Sequence, residues 1–396
     1  MNIKISTFKS RLKHSPSFER ETETFLQNIE SALGCKLNYA ELNDYDCDLK
    51  LVFVQTGGSE GLFLENFGKL QEPYYLLTNG SNNSLAASLE ILTYLNARGK
   101  TGEILHGSAG YVAERISRLA TVAAAKKRLK NVRLGVIGEP SDWLIASVPD
   151  YGEVKQRLGV TLVDVPIAEA ENAAKNAENV HVCDGYPQFD GKELNKAAAI
   201  YSALDKIKEK YRLDGLTIRC FDLLPSLKST GCLALAELNA KEIIGTCEGD
   251  VAAMLSMLIV KAVTGQSSFQ ANPSRIDTEN NRVTFAHCTV PLDMVDRFRF
   301  DTHFESGIGV AVKGELHTGR VTVFRLSADL KRYFVSAGTL SANLNEADLC
   351  RTQAVIQLDK PVTELLKTPC GNHHVILYGD YAEAITQLMN ELKIGK

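Results

Sequence analysis

The chain has 396 residues, 44% of them hydrophobic and 23% charged, with a formal net charge of −4 at neutral pH. That length supports two or three packed domains, and the slightly acidic balance gives no electrostatic basis for a nucleic-acid or anionic-membrane partner. Nine cysteines, an odd count with no CxxC pair, form neither a disulfide nor a zinc framework and fit the reduced, buried thiols of a cytoplasmic protein. No run is long and apolar enough to span a bilayer, and the first residues, Met1 to Lys9, lack the apolar core of a signal segment.

The first region alternates helical and strand patterns. Phe18 to Leu33 has the spacing of an amphipathic helix, and Leu49 to Gln55 and Tyr74 to Thr78 read as buried strands. The polar segments Thr56-Gly-Gly-Ser-Glu60 and Thr78-Asn-Gly-Ser-Asn-Asn-Ser84 follow those strands, the second leading into a helix from about Leu85 to Asn96. Loops so placed often bind ligands, which makes Asn79 a candidate substrate contact, although turn chemistry alone also accounts for them. A second unit begins near residue 107, with a helix from Tyr111 to Lys130 and a strand from Val132 to Gly138. The loop Gly138-Glu-Pro-Ser-Asp-Trp143 then holds the only tryptophan, either a stacking surface for a sugar or a packed hinge residue. A charged helix from Lys192 to Lys210 leads to the apolar run Leu216-Thr-Ile-Arg-Cys-Phe-Asp222, read as a strand ending on an acid.

Next, Gly245-Thr-Cys-Glu-Gly-Asp250 puts Glu248 and Asp250 where an apolar strand turns into the apolar helix that starts at Val251. Open α/β sheets place ligands at such switches, and an acid there also suits a helix cap. Alternation along an extended segment points both carboxylates to the same side. From Arg282 onward, β-prone runs such as Gly309 to Val312, Arg320 to Leu326 and Ala354 to Leu358 recur with glycine-containing turns, which indicates an antiparallel sheet or barrel. Val283-Thr-Phe-Ala-His287 ends in a histidine, Cys370-Gly-Asn-His-His374 carries two more, and the loop from Asp301 offers His303 and Glu305 as substrate contacts. One or two imidazoles with two carboxylates suit Mn2+, and Mg2+ or Co2+ less clearly. His14, His106, His181 and His317 read as ordinary hydrogen-bonded residues. Gly99-Lys-Thr101 and Gly307-Ile-Gly309 fail the phosphate-loop and dinucleotide patterns, so no nucleotide cofactor is expected.

Three blocks, Cys247-Glu-Gly-Asp-Val-Ala-Ala-Met-Leu-Ser-Met-Leu258, Phe285-Ala-His-Cys-Thr-Val-Pro291 and Gly371-Asn-His-His374 with Tyr378-Gly-Asp380, resemble the L-fucose isomerase and L-arabinose isomerase superfamily. The match is strongest from about residue 215 onward. It implies two N-terminal Rossmann-like α/β domains followed by a C-terminal domain with an antiparallel β barrel or sheet, here 1–106, 107–245 and 246–396. It also implies an aldose-ketose isomerase whose divalent cation, usually Mn2+, is held by two acids and a histidine. On this sequence those are Asp222, Glu248 or Asp250, and His373, the acids also serving catalysis, with His287 and His374 as substrate contacts. Family subunits form trimers or hexamers, in which a neighbour's N-terminal domain helps close the pocket around the sugar. Such a reaction moves a proton between adjacent carbons through a cis-enediol, which needs a Lewis acid and a proton-transfer group near its working pKa. A non-catalytic sugar-binding protein of the same fold is the main alternative, and a metal-dependent aldolase a further one.

Overall fold

Apolar runs too short for helices become the strands of two parallel sheets and a barrel. The computed structural model describes residues 1–11, 16–177, 186 and 188–395, in two units, Met1–Ala124 and Ala125–Lys396. In the first unit, strands β1 (Ile3–Phe8), β2 (Leu37–Tyr39), β3 (Leu49–Val54), β4 (Tyr74–Leu77) and β5 (Gly102–Leu105) pair in parallel in the order β2-β1-β3-β4-β5. Both β3 and β4 are buried along their whole length, as strands covered on both faces must be. The amphipathic helix Phe18–Leu33 buries Phe18, Leu26 and Ile29 and stops at Gly34, whose φ of 69° suits a residue without a Cβ.

The second unit contains another parallel sheet, β6 (Arg133–Ile137), β7 (Thr161–Val165), β8 (Gly215–Ile218) and β9 (Ile244–Thr246), in the order β7-β6-β8-β9. The run read as a strand ending at Asp222 stops instead at Ile218. There the Ile218 carbonyl accepts from the Gly249 N–H at 2.9 Å, and the chain turns so that Asp222 falls in the 3-10 turn Cys220–Asp222.

The remaining strands are β10 (Phe269–Asp277), β11 (Arg282–His287), β12 (Val295–Asp301), β13 (Ala311–Leu316), β14 (Gly319–Leu326), β15 (Tyr333–Asn343), β16 (Thr352–Leu358) and β17 (His374–Tyr378). Six of them close into an antiparallel barrel in the order β10-β11-β16-β15-β14-β17, while β12 and β13 form a separate ribbon. Closure comes from β17, which pairs with β14 on one side and β10 on the other, and it leaves no open edge. Phe269, Phe285, Val323, Ile356 and Ile376 are among the buried residues of the core that fills it.

The helix Val251–Thr264 joins the two architectures. Every residue from Val251 to Val260 is buried, which is the signature of a helix enclosed on all sides. It packs against β8 and β9 of the parallel sheet and against β14 and β17 of the barrel. Its N-terminus is thereby fixed beside the ends of strands from both. Among the described residues, no helix is long and apolar enough to cross a membrane.

Candidate metal centre

The turn between β9 and that helix is not extended. Glu248 has φ of 65° and Gly249 φ of 69°, and a non-glycine residue in that left-handed region is uncommon and strained. The close approach of a neighbouring loop requires the glycine: a Cβ on Gly249 would lie 2.7 Å from Pro140 Cα and 2.8 Å from the Glu139 carbonyl oxygen. Glu248 and Asp250 therefore do not project side by side, as alternation had suggested. They grip opposite nitrogens of one imidazole. His373 Nδ1–H donates to Asp250 Oδ2 at 2.9 Å, while His373 Nε2 lies 3.3 Å from Glu248 Oε1.

A second imidazole completes the cluster. His287, at the end of β11, brings Nε2 to 3.8 Å from Glu248 Oε1, and its ring centroid lies 5.2 Å from that of His373. Its Nδ1 meets Thr289 Oγ1 at 2.8 Å. One donor atom from each of Glu248, His287 and His373 falls within 4.8 Å of the others. In both histidines the remaining nitrogen is tied to a protein group, the arrangement that orients metal-bound imidazoles. The donor chemistry fits a divalent cation on a second ground. His373 Nε2 is buried and makes no well-formed hydrogen bond among the described residues, a state that a ligated nitrogen would relieve.

Asp250 has a different place from Glu248. It is fully buried and its two oxygens accept from His373, from the Ala253 N–H at 2.8 Å, and from both terminal nitrogens of Arg325 at 3.0 and 3.2 Å. A carboxylate has about four lone-pair sites, so Asp250 is saturated: it caps the helix and holds His373. Burial opposes its charge, but the Arg325 guanidinium and the His373 hydrogen bond bring its pKa down to about 2. Burial likewise opposes charge on Glu248, and the facing imidazoles of His287 and His373 outweigh it, holding the carboxyl far below the usual carboxylate range. For His373, burial disfavours the imidazolium, yet the hydrogen bond to Asp250 and the facing Glu248 carboxylate lift it to about 9.

An aromatic wall adjoins the cluster. Trp143 Nε1–H donates to Glu248 Oε2 at 2.7 Å while the residue stays 52% exposed. Its ring meets Phe221 edge-on at 5.0 Å, and Phe221 meets His303 at 5.5 Å. Burial and then the neighbouring His287 push His303 down to about 4, and its Nδ1 is engaged with Ser306 Oγ at 3.0 Å. The exposed Glu305 is shifted the other way, raised by burial and then by the charge of Glu248. Because Trp143 is the only tryptophan in the chain, Mn2+ binding at Glu248 is expected to quench most of the intrinsic tryptophan fluorescence. A saturable titration that Mg2+ reverses by competition would check it, and an emission spectrum indifferent to Mn2+ would count against the site.

The other sequence candidates have other partners. Asp222 is half-exposed and paired with Arg219 at 3.1 Å; it lines a cleft of about 860 Å³ at the ends of the second parallel sheet, together with Gly138, Pro140, Tyr151 and Arg219. His374 packs against Phe285 and Phe334, with Nδ1 on the Asn372 carbonyl at 3.0 Å, and burial and the Arg325 charge lower it to about 3. Asn79 belongs to the first unit, where its Oδ1 accepts from the Ser81 N–H and Ser84 Oγ. His106 faces the Thr78 carbonyl and His317 pairs with Asp296, whereas His14 and His181 lie outside the described residues. Cys247 and Cys288, which flank the ligand candidates, are buried thiols; the Cys220 contact and burial raise Cys247 well above its usual value.

No family model matches the chain. It is similar to curated proteins named sulfoquinovose isomerase. The one from Priestia aryabhattai is 25% identical over 307 residues, covering 71% of this chain and 67% of the relative. The one from Alkalicoccus urumqiensis is 24% identical over 299 residues, covering 70% and 67%. This likeness supports a sugar isomerase.

Proposed function

We propose that the protein is a cation-dependent aldose-ketose isomerase, related to the L-fucose and L-arabinose isomerase superfamily, that acts on an open-chain sugar of the sulfoquinovose type. The convergence of Glu248, His287 and His373 beside an exposed tryptophan carries this reading. A binding protein has no need of a carboxylate and two oriented imidazoles at one point, whereas an isomerase does. The relatives' shared name supports the sugar and the reaction class.

Glu248 Oε1 and the Nε2 atoms of His287 and His373 would hold the cation, with Mn2+ the first candidate and Mg2+ or Co2+ next. When bound there, a divalent cation supplies Lewis-acid polarisation of the sugar's carbonyl and adjacent hydroxyl oxygens. Asp250 keeps His373 in the tautomer that presents Nε2. The exposed Trp143 ring offers an apolar face to the sugar's C–H groups while its N–H restrains Glu248. Glu305, close enough for the charge of Glu248 to raise its carboxyl, would take and return the proton between the two carbons. His303, neutral at physiological pH and tied through Nδ1, is free to meet a sugar hydroxyl through Nε2. Asp222 carries the Phe221 turn and shapes the wall. We extend the reading to a homo-oligomer.

The test is conversion in deuterated water. Protein stripped with chelator and reloaded with Mn2+ is mixed with sulfoquinovose, glucose, L-fucose or L-arabinose and followed by NMR. Isomer formation with deuterium entering at the carbon beside the carbonyl is the expected result. Failure of every sugar to react with the reloaded protein would sink the reading, and cleavage products would replace it with an aldolase.

A further inference from the structure

We infer that Arg325 is the positioning residue of this centre: a single buried guanidinium that sets the separation of Glu248 from His373. The inference rests on the cation reading above. Arg325 sits on β14 with none of its surface exposed, the bulkiest fully buried side chain among the described residues. A buried charge is costly unless it is paired and hydrogen-bonded, and the partners here all belong to segments that feed the site.

Nη1 and Nη2 form a two-pronged pair with the Asp250 carboxylate at 3.0 and 3.2 Å. Nη2 also donates to Ser147 Oγ at 3.0 Å, in the segment that follows Trp143. Nε–H reaches the Cys370 carbonyl at 3.5 Å, just before His373. One side chain thus ties together the Asp250 turn, the Trp143 loop and the strand entry that presents His373. The planar fork fixes both the position and the plane of the Asp250 carboxylate, and that carboxylate fixes the His373 ring. A lysine at this place would keep the charge and lose the fork.

Gly371 supplies a second handle on the same contact, added to the strain that any side chain meets at its backbone angle. Its φ is 139°, and a Cβ there would lie 2.5 Å from Arg325 Nη2 and 2.7 Å from Nε. A methyl group at this position pushes on the guanidinium without removing any charge. The glycine in the Gly-Asn-His segment is therefore explained by Arg325 as well as by its backbone angle.

The test uses the full chain with Mn2+ alone, so it does not depend on turnover. Mn2+ affinity is measured by EPR titration for wild type, Arg325→Lys and Gly371→Ala, and the imidazole nitrogens on bound Mn2+ are read by electron spin echo modulation. Circular dichroism of the cation-free proteins confirms that each variant is folded. The expected result is affinity lowered about 10- to 100-fold in both variants, with the nitrogen coupling of His287 kept and that of His373 lost. Should Arg325→Lys fail to fold, Gly371→Ala carries the test alone. A folded variant that binds Mn2+ within about twofold of wild type, or binds it weakly with both couplings intact, overturns the role of Arg325. Absence of binding to wild type would overturn the cation reading itself.

Discussion

Glu248→Gln is expected to leave the protein folded while weakening Mn2+ binding by at least about 100-fold, more than the loss typical of an outer-shell partner. Glutamine has nearly the same shape and still accepts from Trp143 Nε1, so the left-handed turn and its packing on Pro140 persist. What disappears is the carboxylate charge that faces both Nε2 atoms. Two neutral imidazoles remain, and they hold a hard divalent ion poorly without a carboxylate. Turnover with the active sugar should fall in parallel and recover in part at saturating Mn2+. Calorimetric titration of the variant beside Asp222→Asn provides the contrast, because the Asp222 carboxylate is held by Arg219 and its loss should leave Mn2+ affinity intact. Equal affinities for wild type and Glu248→Gln would remove Glu248 from the centre.

Mn2+ affinity should also rise steeply with pH. In the cation-free protein His373 is held protonated up to about 9, by its hydrogen bond to Asp250 and the facing Glu248 carboxylate acting against burial. Ligation through Nε2 has to displace that proton. One proton released per ion makes the apparent affinity rise about tenfold per pH unit below 9 and level off above it. The stability of the cation-free protein runs the other way. A folded-state pKa raised above 6.5 contributes stability that is full below 6.5 and is lost as pH climbs through 9. Asp250, depressed to about 2, contributes stability above its ordinary value near 3.8 and loses it only as pH falls toward 2. The Mn2+-induced increase in melting temperature should therefore widen between pH 6.5 and 8.5. Titration calorimetry in buffers of different ionisation enthalpy would report close to one proton released at pH 7.5, and an affinity flat across the range would refute the linkage.

Much of this was legible in the sequence because it depends on local chemistry. The strand, acidic turn and apolar helix around Glu248 and Asp250 announce a helix N-terminus at a switch, and glycine next to paired histidines marks the other arm. What alternation could not foresee is that Gly249 would be pressed against Pro140, which breaks the extended geometry and sends the two acids to opposite edges of His373. The sequence reading puts His287 at the substrate, and its strand shows how it reaches the cluster. Val283 and Phe285 alternate inward as buried residues, and His287 continues the same face at the point where the strand ends. Arg325 was missed altogether. Its signal is a charge inside Val321-Thr-Val-Phe-Arg-Leu326, six residues that are all buried, where an arginine has to find an acid in the interior. No sequence pattern names that acid, since 75 positions separate Arg325 from Asp250.

The closing strand of the barrel has a consequence for biosynthesis. β17 follows both β10 and β14 in chain order, it must insert between them, and His373 immediately precedes it. Contacts this distant in sequence form late, after loop closure has been overcome. A growing polypeptide that has exposed Glu248 and His287 still lacks His373, so under the proposed function metal capture would wait until the barrel is shut. Loading with the ion would then act as a maturation checkpoint: incompletely folded chains would stay empty, and the bound population would be the finished one.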